Sequence, residues 1–132
     1  MPAPRVSILL PVRNAADRLG PCLDSIAAQT LRDYELLCID DHSCDGTRAL
    51  LVARSRRDPR LRILDSPGRG IVAALNHGLV HARGAFIARM DADDRMHRER
   101  LARQWAFLRA HPELELVGSR VRILPAGAST TG

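Results

Sequence analysis

Three carboxylates, Asp91, Asp93 and Asp94, fall within four consecutive positions of the segment FIARMDADDRM. Two aspartates one residue apart on a turn can present oxygen ligands to a hard divalent cation. Mg²⁺ and Mn²⁺ take one or two protein carboxylates and complete their shell with water and phosphate oxygens. Such an ion would also offset the repulsion among carboxylates this close together. The competing role is an ordinary acidic turn capping the helix that follows. A second acidic pair, Asp40 and Asp41, stands in YELLCIDDHSCDGT, followed by Ser43, Asp45, Gly46 and Thr47. Asp45 or Thr47 suits a helix N-cap, but capping needs one such residue rather than a run. A carboxylate there can accept hydrogen bonds from a base N–H or a ribose hydroxyl, which is a nucleotide-binding role and not a catalytic one.

Chemistry of this kind needs elements that hold the clusters in place. VSILL (6–10) is a β-branched, apolar run and reads as a strand. Cys22, Leu23, Ile26, Ala27 and Thr30 follow at helical spacing; Pro21 fits a first turn, so the helix is expected to begin at Gly20. YELLCID (34–40) is a second strand, Thr47 to Arg56 a helix, and LRILD (61–65) a third strand. Ile71, Ala74, Leu75, Gly78, Leu79 and Ala82 keep the spacing of an amphipathic helix closed by Gly84. AFIARM is a fourth strand, Leu101, Trp105 and Leu108 mark a further helix, and LELVGSRVRIL (114–124) reads as a fifth strand. The tail 125–132 has no pattern and is expected to be disordered. Alternating strands and helices with short loops imply an α/β, Rossmann-like, mostly parallel sheet with helices on both faces. In such sheets ligands bind at the carboxyl ends of the strands, where PVRN, DDHSCDGT and DADD all fall.

The chain of 132 residues is one domain long and can bury a core. Its net charge is +5, and every one of its 20 basic residues is arginine, which excludes any mechanism that requires lysine. Arginine's planar fork suits phosphate, although most surface arginines only solvate. The thiols Cys22, Cys38 and Cys44 are odd in number and irregular in spacing, so neither a disulfide framework nor a zinc site is indicated. No stretch is apolar over the ~20 residues of a membrane span and no signal peptide is evident, so a cytoplasmic location, at most at the inner face of the membrane, is expected. Aromatics are 3% and the arginines are interspersed with acids, which argues against nucleic acid as a partner.

With these segments in view, VSILLPVRNAADRLGPCLDSIAAQT, YELLCIDDHSCDGT, GRGIVAALNHGLVHARGAFIARMDADD and RERLARQWAFLRAHPELELVGS together resemble the N-terminal half of a family 2 glycosyltransferase of the GT-A fold. The resemblance implies a nucleoside-diphosphate sugar as donor, a UDP-sugar being favoured, with Mn²⁺ or Mg²⁺ as cofactor and an acceptor that the sequence does not name. It also implies that Pro11, Val12 and Asn14 belong to the first nucleotide-contacting loop, where Arg13 replaces a common tyrosine. Asp41 would contact the base, with Asp40 beside it, and Gly70, Ala74 and Asn76 would line the donor pocket. Asp91, Ala92 and Asp93 match the DxD-type motif: Asp93 would ligate the metal, and Asp91 would contact the ribose or a metal-bound water. Arg69 is a candidate second cation for the phosphates, or else faces solvent.

Sugar transfer with inversion needs a general base on the acceptor, and the family's base lies beyond the matching segment. Glu113 and Glu115, the acidic residues that follow Glu99, match no base motif. Residues 1–124 are therefore expected to form a partial domain that binds the donor, with no catalytic residue assigned within it. A non-catalytic interaction domain of the same fold is the rival reading. A receiver-type phosphoacceptor domain has paired aspartates too, but its chemistry needs a lysine. If the remaining half is missing, an apolar surface or strand edge is left uncovered, and self-association is then expected.

Overall fold

The computed structural model describes residues 2–122. Its four strands are β1 (Val6–Val12), β2 (Tyr34–Asp40), β3 (Leu61–Asp65) and β4 (Phe86–Arg89). They form one parallel sheet in the order β3-β2-β1-β4. The central strands are buried along almost their whole length, as parallel strands covered on both faces must be. The helices are α1 (Leu19–Ala27), α2 (Thr47–Ser55), α3 (Ile71–His81) and α4 (Arg100–Ala110).

The sheet separates two cores. On one face Ile8, Leu10, Leu36 and Cys38 pack with Leu19, Cys22, Leu23 and Ile26 of α1, Leu51 of α2 and Leu101 of α4. On the other, Leu9, Leu37 and Ile39 meet Ala74 of α3. Gly78 lets α3 approach closely, because a Cβ there would stand 3.0 Å from Ile39 Cδ1. This second layer is a single helix deep, and Val72 and Val80 of α3 and Ile87 of β4 remain exposed.

Pro11 sits within a central strand, where proline ordinarily forfeits a ladder bond. The Leu9 carbonyl accepts from Met90 N–H and the Val12 carbonyl from Asp41 N–H. The backbone of Pro11 therefore faces the β4 side. β4 pairs with Val6 to Leu9, so at Pro11 there is, among the described residues, no partner to lose. β1 thus runs past the end of β4.

The helix expected from Gly20 begins one residue earlier, at Leu19. The fifth strand does not form over the described part of its range: residues 114–122 lie outside the sheet, with Leu116 87% and Val121 85% exposed. Alternation makes a segment fit to pair, but a strand exists only in a ladder, and this one has no neighbour among the described residues. The end of that range and the tail 125–132 lie outside the described residues.

Candidate functional site

The loops after β1, β2 and β4 and the start of α3 enclose an open cleft of about 530 Å³. Of the residues singled out by sequence, Pro11, Val12, Arg13, Asp41, Gly70, Ala74, Asp91, Ala92 and Asp93 line it. The β1 and β2 loops are locked together. Asn14, in a left-handed conformation (φ 46°), donates its N–H to Ser43 Oγ at 3.0 Å and accepts from Cys44 N–H at 2.9 Å. Ala15 N–H donates to Thr47 Oγ1 at 2.8 Å. Asn14 therefore serves as a strut between loops and does not line the cleft wall.

Asp40 and Asp41 are both buried but point to different tasks. Asp40 Oδ1 accepts from Ser43 N–H at 3.1 Å and Oδ2 faces Arg48 at 3.5 Å; Arg48 also pairs with Asp65. Asp40 is thus a fastener behind the wall. Asp41 is on the wall, with Oδ2 accepting from Gly70 N–H at 3.0 Å and Oδ1 meeting, among the described residues, only His42, 4.0 Å away. Gly70 has φ 91°, a region that disfavours any side chain, and this bend aims its N–H at Asp41. The N-cap of α2 is Gly46, with no side-chain cap of its own. Asp45 reaches from one residue earlier to accept Thr47 N–H at 2.9 Å.

The acidic turn follows β4. Asp94 N–H closes it onto the Asp91 carbonyl at 3.1 Å. Burial, then Asp93 and Asp91, push the Asp94 carboxyl above its ordinary value against the opposing pull of Arg100. Arg100 near Asp94 and Arg89, 3.7 Å from Asp91, offset part of the repulsion. Burial and the same aspartates push the Cys22 thiol beneath the turn up to about 12. Among the described residues no three His, Cys, Asp or Glu side chains converge to hold a metal by themselves. Asp91 and Asp93 on one cleft wall offer hard oxygen donors, which fit Mg²⁺ or Mn²⁺ when outside oxygens complete the shell.

Arg69 and Asn76 are exposed and do not line the cleft. Ala15, Arg18 and Ile71 do; the sequence marks Ile71 as a helix-face residue and does not single out the other two. Arg18 is the N-cap residue of α1, and a helix start beside a strand's carboxyl end is the signal that points to it. The Arg13 and Arg18 side chains make no hydrogen bond or ion pair among the described residues.

The sequence model described as "Glycosyl transferase family 2" matches residues 7–130. The chain belongs to glycosyltransferase family 2. It is 35% identical over 120 residues to the "Putative glycosyltransferase EpsE" of Bacillus subtilis, covering 88% of this chain and 42% of that protein. It is 37% identical over 119 residues to a "PGL/p-HBAD biosynthesis glycosyltransferase" of Mycobacterium bovis, covering 89% and 46%. The chain thus spans less than half the length of these curated relatives. Among solved structures, S. aureus TarS in complex with UDP superposes with TM-score 0.75 at 27% identity over 82% of this chain and 33% of that one. The mannosyltransferase PcManGT from Pyrobaculum calidifontis, in complex with GDP-Man and Mn²⁺, gives TM-score 0.74 at 30% identity over 80% and 32%. The fold is therefore of the GT-A type, α/β and Rossmann-like.

Proposed function

We propose that the cleft binds the nucleoside-diphosphate part of a sugar donor, with Asp41 on the base side and Asp91 and Asp93 on the diphosphate side. The carrying observation is that Asp41, Asp91 and Asp93, from two strand ends, line one cleft together with Gly70 at the head of α3. Asp93, helped by Asp91, would hold Mn²⁺ or Mg²⁺. When bound, such an ion stabilises the negative charge developing on the leaving diphosphate. Arg13 and Arg18 add positive charge to the cleft lining, and no partner among the described residues competes for it. UDP is favoured as the nucleotide because the TarS complex contains it, with GDP the alternative. Transfer is read as inverting, with the acceptor and its base contributed from outside residues 1–124.

No helix among the described residues is long and apolar enough to cross a membrane. Cys22, Cys38 and Cys44 are all free thiols, which supports a reducing compartment and thus the cytoplasmic side.

The deciding experiment is calorimetric titration of UDP, then GDP, with and without Mn²⁺, on the chain and on Asp93→Ala. Binding that Mn²⁺ strengthens and the substitution abolishes is the expected result. A folded chain that binds neither nucleotide overturns the reading in favour of an interaction domain. Self-association between two copies belongs to the same proposal and is supported by exposed Val72, Val80 and Ile87. Sedimentation at tens of micromolar, roughly the range for modest interfaces, should show dimer; a clean monomer removes it.

A further inference from the structure

From Asp91 to Glu99 the chain forms neither helix nor strand, yet it carries the two carboxylates that the proposed function requires to be held in place. β4 contributes one ladder bond at its end, Met90 N–H to the Leu9 carbonyl at 3.0 Å. A column of polar side chains on α1 and just beyond it contributes several more. Cys22, Ser25 and Gln29 stand at i, i+3 and i+7, so they share one stripe of the helix.

Their bonds advance in step with the segment. Cys22 Sγ donates to the Asp91 carbonyl at 3.5 Å. Ser25 Oγ accepts from Met96 N–H at 2.9 Å while donating to the Cys22 carbonyl at 2.7 Å. Gln29 Nε2 donates to the carbonyls of His97 at 2.8 Å and Ser25 at 3.1 Å, with Met96 at 3.5 Å. Its Oε1 accepts from Leu101 N–H, the start of α4, at 3.2 Å. Thr30 N–H adds a bond to the Arg98 carbonyl at 2.9 Å.

Gln29 is 1% exposed. A buried amide is tolerated when its donors and acceptor are satisfied, and here the nitrogen faces carbonyls while the oxygen faces an N–H. An apolar residue of similar size would fill the same space. It would leave Leu101 N–H without its partner and the His97 carbonyl with Arg100 N–H alone, at 2.9 Å, a deficit that moving the segment can relieve. Movement there is transmitted to the turn, because Met96 and Leu101 are anchored in the core and the stretch between them and Asp91 is short.

We propose that Gln29, together with Ser25 and Cys22, is the positioning residue of the acidic turn, fixing where Asp91 and Asp93 stand over the cleft. This rests on the donor-site reading above. The role differs from general stabilisation because it acts on the metal-dependent part of binding and spares the base side at Asp41, which the Asn14 strut and Gly70 hold independently.

The test compares the intact chain, Gln29→Leu and Leu61→Ala, a variant weakened in β3 away from the turn, all at a temperature where each is folded. Nucleoside diphosphate is titrated with and without Mn²⁺, and backbone amide exchange is followed without ligand. For Gln29→Leu the Mn²⁺-dependent gain in affinity should fall about 10- to 100-fold, the usual loss when a ligand's supporting partner is removed. Metal-free affinity should stay unchanged, Leu61→Ala should keep both, and Met96 and Leu101 should lose exchange protection. A folded Gln29→Leu that keeps the full Mn²⁺ gain overturns the proposal, as does equal loss of both components. If Gln29→Leu does not fold, Ser25→Ala replaces it with a smaller loss of the same kind expected. If the intact chain shows no Mn²⁺ gain, the donor-site reading fails; the exchange data then decide separately whether Gln29 places the turn.

Discussion

β2 carries Glu35 near its amino end and is followed directly by Asp41 at its carboxyl end, and the fold treats these two carboxylates oppositely. At the amino end Ser7 and Glu35 are register partners. Glu35 is 3% exposed and accepts from Ser7 Oγ at 2.6 Å, Arg83 N–H at 2.7 Å and Arg83 Nε at 3.1 Å. Gly84 N–H donates to the same Ser7 hydroxyl at 2.7 Å, and a Cβ on Gly84 would stand 2.5 Å from Ser7 N. At the carboxyl end, Asp41 has one oxygen fastened and the other on the cleft, and the neighbouring acidic turn is left partly unbalanced. A carboxylate surrounded by its own donors is finished business for the fold. In the function proposed above, the carboxylates gathered on the cleft are the ones that meet a ligand.

The contrast breaks most sharply at Glu35. Glu35→Ala removes charge-assisted bonds and strands the Ser7 hydroxyl, so denaturant unfolding should show a loss of about 2–3 kcal/mol, with nucleotide affinity per folded molecule unchanged. A variant that unfolds no more easily would mean that the amino-end network is ornamental.

At the cleft the expected effects fall on binding. Arg18→Ala should weaken nucleoside diphosphate binding by about 1 kcal/mol, the scale of a partly exposed ionic contact. Its midpoint of unfolding should stay within about 0.5 kcal/mol of the parent, as for most surface changes. Titration of UDP against nucleoside uridine separates a phosphate contact from a base contact; equal losses for both would remove the phosphate role.

The smallest effect concerns Asp94, whose sign is opposite to that of Glu35. Desolvation pushes the Glu35 carboxyl up, but the bonds from Ser7 and Arg83 more than reverse it, leaving it below its ordinary value. Its contribution to stability is therefore present above the ordinary glutamate pKa and lost as pH falls through the lowered one. Asp94 is raised, so its favourable contribution exists only below the ordinary aspartate pKa and disappears as pH rises through the raised value. Asp94→Asn should then stabilise the chain at neutral pH by a few tenths of a kcal/mol, because the group is exposed and screened, and Glu35→Gln should flatten the acid limb of the stability profile. Melting curves across the acid range check both. Destabilisation by Asp94→Asn at neutral pH would show the turn to be better balanced than its geometry indicates.

Much of the fold was legible because parallel strands are buried on both sides and announce themselves as apolar runs; Tyr34–Asp40 and Leu61–Asp65 emerge with the ends that the sequence indicates. Pro21 placed the start of α1 to within one residue. The segment 114–122 misled because its alternation says nothing about whether a neighbour exists. Within the site, Asp41, Asp91 and Asp93 were legible from their place after strands. Asn14 and Asp40 were not separable from them, since what makes Asn14 a strut is Ser43 and Cys44, about thirty residues away. Arg18 was hidden because the helix start was read at Gly20, which left it in the preceding loop, and Gln29 looked like one polar residue among helical ones until the backbone it serves could be seen.

Trp105, the one tryptophan of the chain, lies on α4 with the guanidinium of Arg5 4.5 Å and that of Arg109 4.9 Å from its ring. It does not line the cleft, and α4 is the element that the acidic segment leads into. The indole is therefore a built-in optical reporter. Its emission should follow the undocking of α4 from the sheet and remain insensitive to what occupies the cleft, so unfolding can be followed with nucleotide present and without interference from binding.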